Sequence, residues 1–187
     1  TRMGQDKSEL SYHGVSQLDY LLGILKPFCG RVFLSGRKEQ TFESKNWIVD
    51  KPQYADMGPL AGILSALEEF PKKSWFVLAV DLPFVTEMTL EYLIQHRNPQ
   101  KIATAFKSRH DGLPEPLCAI WEDRALEKMK ELCAQGIHCP RKILINAETH
   151  LIELKDKRWL DNVNTPEEYK EAVKAIILGL DNPNESV

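Results

Sequence analysis

No apolar stretch of this chain approaches the ~20 residues needed to span a bilayer, and nothing near its start reads as a signal peptide. A cytoplasmic protein without a membrane partner is therefore expected. An excess of basic charge is missing too: 24 Lys and Arg face 27 Asp and Glu, for a net charge of −3. That balance weighs against nucleic acid as a partner. The cysteines Cys29, Cys118, Cys133 and Cys139 contain no C-x-x-C pair, and no second pair joins Cys133, His138 and Cys139 at zinc spacing. They read as reduced thiols. No convincing Ser-His-Asp or Cys-His arrangement is present, nor any internal repeat or linker. At 187 residues the chain suits a single domain, expected over 1–180, with 181–187 a disordered tail.

What is present is an alternation of strands and helices. Leu18, Leu21, Leu22 and Leu25 recur at helical spacing over 16–28. Residues 31–35 and 47–50 read as short strands, and Gly58-Pro59 opens a helix with proline at its first position. The continuous apolar run 75–80 is expected to be a strand buried on both faces. Thr86 caps a helix to about His96, and 101–107 and 116–121 read as strands around a polar loop. Residues 123–135 form an amphipathic helix ended by Gly136. Residues 141–147 fit a strand or a short helix equally, and 151–154 read as a strand. Thr165-Pro166-Glu167-Glu168 is a strong helix start. This pattern predicts an α/β fold: three layers, with a doubly wound, mostly parallel sheet. In that architecture ligands bind beyond the carboxyl ends of the strands. Ser35, Asp50, Asp81 and the pair Asn162/Asn164 stand at such ends.

Thr1-Arg2-Met3-Gly4-Gln5-Asp6-Lys7 looks like the second half of a phosphate-binding loop: a polar, glycine-containing turn that ends in lysine. Its first half, a strand and a glycine-rich turn, does not stand before Thr1, so the numbering is expected to begin inside the loop. Asp81 follows the most apolar strand. A carboxylate ~4 Å from a phosphate charge costs about 4 kcal/mol at an effective dielectric near 20. An intervening cation removes that cost, and Mg²⁺ commonly bridges one or two carboxylates to substrate phosphates. Lys7 with Asp81 therefore points to Mg-nucleotide chemistry.

Five elements in order carry a resemblance: Arg2-Met3-Gly4-Gln5-Asp6-Lys7, Gly58-Pro59-Leu60-Ala61-Gly62, Asp81-Leu82-Pro83-Phe84, Pro116-Leu117, and Asn162-Val163-Asn164-Thr165-Pro166-Glu167-Glu168. Over nearly its whole length the chain resembles the molybdenum cofactor guanylyltransferase family of the nucleotidyltransferase superfamily. The resemblance implies a Rossmann-like nucleotidyltransferase fold and Mg²⁺-dependent transfer of GMP from GTP to the terminal phosphate of molybdopterin, releasing pyrophosphate. It implies that Lys7 holds the triphosphate and Asp81 the magnesium. Arg2, Gly4, Ser35, Asp50 and Gly62 would contact the nucleotide, and Asn162, Asn164 and Arg141 would line the acceptor side. Enzymes that handle molybdopterin are the implied partners.

Two departures bear on this. Ser35 stands where asparagine occurs in relatives. Glu115 replaces a histidine or glutamine, and a carboxylate facing an anionic acceptor needs a partner, with Arg141 a candidate. Arg109, His110 and Lys142 are further basic residues near strand ends. The alternatives are a CTP-using enzyme on the same pterin, a guanylyltransferase with another phosphorylated acceptor, and a non-catalytic nucleotide-binding or scaffolding domain.

Overall fold

A computed structural model describes residues 7–38 and 46–179. The expected tail over 181–187, and Arg2 and Gly4, lie outside the described residues. Contacts gather the chain into two compact units. One comprises the described parts of Thr1–Gly30, Ala79–Tyr92 and Leu154–Val187; the other comprises those of Arg31–Leu78 and Leu93–Glu153.

The second unit holds both sheets. β1 (Leu34–Gly36) pairs parallel with β2 (Trp47–Val49), setting Ser35 opposite Ile48. β1 thus lies slightly later than the 31–35 expected from sequence, so Ser35 sits within the strand rather than at its end. The other sheet has the order β3-β5-β4-β6: Trp75–Leu78, Pro114–Trp121, Ala103–Lys107 and Thr149–Ile152. β5 runs antiparallel to both β3 and β4, whereas β4 and β6 are parallel. Three of the four strands therefore share a direction. The exception follows from the short β4–β5 connection, in which Ser108 N–H donates to Leu113 O at 2.8 Å. A hairpin of that length forces antiparallel pairing. β3 is only partly buried at every position, not buried on both faces, because it ends the strand order among the described residues.

α2 (Pro59–Glu69) is this unit's most buried helix. Pro59 occupies its first turn, where a missing N–H costs nothing, and Gly58 precedes it at φ 54°, a left-handed angle that suits glycine. Leu60, Ile63, Leu64 and Leu67 enter a core with Ala103, Ala105, Trp121, Met129 and Ile143. Each such leucine or isoleucine is worth about 1.5–3 kcal/mol. α4 (Ala125–Ala134) adds Met129 and Leu132. Residues 140–145 resolve the earlier ambiguity as a helix, α5 (Pro140–Ile145), with proline at its start.

A polar network closes the far end of α2. Glu68 accepts from Lys51 Nζ at 2.8 Å and Tyr54 Oη at 2.7 Å, and pairs with Lys130 at 2.7 Å. Burial pushes its carboxyl up, but the bonds from Lys130, Lys51 and Tyr54 outweigh that and bring it down to about 2. A depressed carboxyl contributes stability that is fully present above its unfolded value of 4.5 and is lost as pH falls toward about 2. Glu68→Gln is therefore expected to flatten the fall in unfolding midpoint between pH 4.5 and pH 2, as thermal melts across that range would show.

The first unit is built around α1 (Gln17–Leu25) and α6 (Pro166–Ile177), with α3 (Glu87–Gln95) beginning in it. Ser16 caps α1, accepting from Asp19 N–H at 3.1 Å. The buried stripe of α1 is Gln17, Leu21, Ile24 and Leu25, so a polar residue opens it and Leu18 and Leu22 lie partly outside. Thr165 caps α6 through the full capping box with Glu168. Leu10, Tyr12, Val163 and Ala172 form the local core, with Phe84 and Tyr169 against it. No described helix is long and apolar enough to cross a membrane.

Candidate active site

Lys7, Asp81 and Asn164 meet in the first unit. Lys7 Nζ donates to Asp81 Oδ2 at 3.0 Å and to Asn164 Oδ1 at 2.7 Å. Three separate devices bring them there. The segment after Lys7 is tied to the first turn of α1, with Leu18 N–H donating to Ser8 O at 3.1 Å and Gln17 N–H to Leu10 O at 2.7 Å. Asp81 lies three residues beyond β3, and its carbonyl accepts from Val163 N–H at 3.4 Å. Glu168 Oε2 accepts from the backbone N–H groups of Asn164 and Thr165 at 2.7 and 3.1 Å. The capping box thus orients the asparagine as well as the helix. Buried Val163 separates Asn164 from exposed Asn162, so the valine between the asparagines is the anchor of that loop.

Both members of the ion pair retain solvent access, with side-chain exposures of 22% and 27%. A pair of this kind is worth about 1 kcal/mol or less to stability, so its geometry is not explained by folding energy. Nearby Tyr12 is pushed up to about 12 by burial, then by the charges of Tyr169 and Asp81. It is a neutral phenol at physiological pH.

A second cluster lies within the other unit. Asp50 follows β2, its N–H donating to Gly36 O at 2.9 Å. Its Oδ1 is buried without a hydrogen-bond partner, and burial raises its carboxyl while the charge of Arg37 draws it down. An unpaired buried acceptor of this kind costs about 1–3 kcal/mol, a cost that a donor on a ligand would remove. Gly62 leaves room for the Ser35 hydroxyl: a Cβ would stand 2.4 Å from Ser35 Oγ and 3.5 Å from Asp50 Oδ1. Gly62→Ala is expected to drive the Ser35 hydroxyl from its position at a net cost of about 1 kcal/mol, since alanine also favours the helix by about 0.5–1 kcal/mol. Adding Ser35→Ala should recover most of that loss, which chemical denaturation of the single and double variants would measure.

Arg141, on α5, is engaged by two carboxylates: Nη1 reaches Asp111 Oδ2 at 3.1 Å and Nη2 reaches Glu115 Oε2 at 2.7 Å. Glu115 thus has the partner that its place in the strand required. The described residues hold no group of three or more His, Cys, Asp or Glu placed to bind a metal. Asp81 offers one carboxylate. That suits Mg²⁺, which takes one or two carboxylates and completes its octahedron with water and phosphate oxygens.

The profile of the MobA-like NTP transferase domain matches residues 1–154. The chain belongs to that family. Membership makes it a nucleotidyltransferase domain, as the resemblance implied. The "Molybdenum cofactor biosynthesis bifunctional protein" of Synechocystis sp. is 34% identical over 90% of this chain. The chain spans about half the length of that relative, 49%. The "Probable molybdenum cofactor guanylyltransferase" of Bacillus cereus is 25% identical over 93% of this chain and 90% of its own length. Among solved structures, molybdopterin-guanine dinucleotide biosynthesis protein A of Archaeoglobus fulgidus superposes with a TM-score of 0.73 at 26% identity, covering 95% of this chain and 93% of the other. The expected α/β nucleotidyltransferase architecture is what that superposition shows. Glu168 was the site residue that sequence reasoning undervalued: the T-P-E-E signature marked it as a cap, and the same carboxylate also fixes Asn164.

Proposed function

We propose that this family member transfers GMP from GTP to the terminal phosphate of molybdopterin and releases pyrophosphate. The observation that carries the reading is the meeting of Lys7, Asp81 and Asn164 through two short hydrogen bonds. An ammonium and a carboxylate set side by side at a solvent-accessible point can separate toward ligands of opposite charge, the ammonium toward phosphate oxygens and the carboxylate toward a cation. The names of the relatives support guanine and the molybdenum cofactor as the chemistry served.

In this reading an oxygen of the acceptor phosphate attacks the α-phosphorus of GTP. The new P–O bond forms as the bond to the β-phosphate oxygen breaks, and the electron pair leaves with pyrophosphate. No protein nucleophile is required, because the acceptor phosphate is already ionised. Lys7 neutralises and orients the triphosphate. Asp81 would hold Mg²⁺, with the amide oxygen of Asn164 close by; when bound, the ion supplies charge neutralisation for the leaving pyrophosphate. Ser35, Asp50 and Gly62 keep the nucleotide role, supported by the unpaired buried Oδ1 of Asp50. Arg2 and Gly4 are assigned to the nucleotide by resemblance. Asn162, Asn164 and Arg141 are assigned to the acceptor side. Because Arg141 already serves Asp111 and Glu115, an anionic acceptor must compete with those carboxylates.

We take residues 1–180 as one nucleotidyltransferase domain working in the cytoplasm on small-molecule substrates, with molybdopterin-handling enzymes as partners. The test is nucleotide choice. Full-length protein supplied with molybdopterin, Mg²⁺ and either GTP or CTP should release pyrophosphate with GTP. Release with CTP alone would make it a cytidylyltransferase; release with neither would favour a non-catalytic nucleotide-binding domain.

A further inference from the structure

The loop that follows Asp81 is held by side chains to which the proposed reaction gives no chemical role. Gln17 Nε2 donates to Leu82 O at 3.2 Å, His13 Nε2 to Pro83 O at 2.9 Å, and Tyr20 Oη to Val85 O at 3.1 Å. A carbonyl can only accept, so the His13 proton sits on Nε2. With the Val163 N–H on Asp81 O, the carbonyls of residues 81, 82, 83 and 85 all have partners within the protein. Leu82, Pro83 and Val85 are buried, so their carbonyls need partners within the protein, and here side chains of the segment 13–20 supply them.

Gln17 makes the arrangement unlike ordinary loop packing. It is fully buried at the head of the apolar stripe of α1, and its Oε1 has no hydrogen-bond partner. An apolar residue there would avoid the desolvation of an amide. What glutamine adds is a long-range bond to Leu82 O, which otherwise accepts from the local Val85 N–H at 3.4 Å. His13 and Tyr20 reinforce each other, their rings stacked with centroids 3.6 Å apart at 11°. The stack limits the freedom of both donors.

We propose that His13, Gln17 and Tyr20 are positioning residues that clamp the backbone of residues 82–85 and so fix the direction of the Asp81 carboxylate. The proposal rests on the assignment of Asp81 to Mg²⁺ made above. Among the described residues, the Asp81 carboxylate accepts a side-chain hydrogen bond from Lys7. Once Lys7 turns to phosphate that restraint is gone, and the backbone clamp keeps the carboxylate within the few tenths of an ångström that metal geometry demands.

Tyr20→Phe is the primary test because it keeps the ring and its stack and removes a single donor. In full-length protein, kcat should fall about threefold to tenfold, the span of one neutral hydrogen bond, with the KM for GTP unchanged within about twofold. The Mg²⁺ concentration for half-maximal rate should rise by a similar factor. So should the dissociation constant of Mn²⁺ from the protein–GTP complex, read by electron paramagnetic resonance without turnover. His13→Gln, which keeps a donor, should restore most of what His13→Leu loses. A Tyr20→Phe protein with wild-type Mn²⁺ affinity and Mg²⁺ dependence overturns the clamp alone. A wild-type protein that binds no Mn²⁺ beside GTP overturns the metal reading and this proposal with it.

Discussion

Asp81→Ala is expected to abolish Mg²⁺-dependent transfer while the protein stays folded. The carboxylate is 27% exposed and paired with an equally accessible lysine, so its removal should cost about 1 kcal/mol or less of stability. The expected catalytic loss is far larger. Without Asp81 the ammonium of Lys7 keeps its bond to Asn164 but has lost the carboxylate beside it. A triphosphate would then meet the lysine without a metal held beside it, and charge on the departing pyrophosphate would go uncompensated. A loss of three or more orders of magnitude in kcat/KM, on the order of 4 kcal/mol, is the expected scale. An Asp81→Ala protein with near wild-type turnover would remove the metal assignment. A collapse of its unfolding midpoint would instead show that the loop depends on the ion pair.

Lys7→Ala comes next in size. Its ammonium bridges Asp81 and Asn164, and on binding it is assigned to the triphosphate. Charge-assisted contacts to phosphate are roughly twice as strong as neutral ones, and a few kcal/mol corresponds to one to several orders of magnitude. The loss should be divided between weaker GTP binding and slower transfer, since the charge serves ground state and transition state alike. Lys7→Arg should recover part of the binding but less of the rate, because a planar fork cannot replace a compact point charge. Unchanged GTP kinetics in Lys7→Ala would refute the role.

Much of the site could be read from the chain because it rests on local rules. Thr165-Pro166-Glu167-Glu168 predicted a capped helix, and the capping box is present to the residue. Gly58-Pro59 opened α2 as expected, and the acidic residues after the apolar strands marked Asp50 and Asp81. The need of Glu115 for a cation was visible as an electrostatic requirement, and Arg141 meets it. What could not be read depends on partners distant in sequence. Apolar run length does not give strand direction, so the reversal of β5 and the partial exposure of β3 emerged only with the pairing. Periodicity placed leucines on the inner face of α1 but could not place Gln17 there, because its burial is compensated by a carbonyl 65 residues away. The left-out Cβ of Gly62 likewise has meaning only beside Ser35 and Asp50.

The most direct measurement of the central claim follows the phosphorus. Full-length protein would be incubated with molybdopterin, Mg²⁺ and GTP labelled either at the α- or at the γ-phosphate. Attack at the α-phosphorus predicts α-label in a pterin dinucleotide and γ-label in free pyrophosphate, in equal amounts. Transfer of γ-label to the pterin, or pyrophosphate released without labelled dinucleotide, would contradict it.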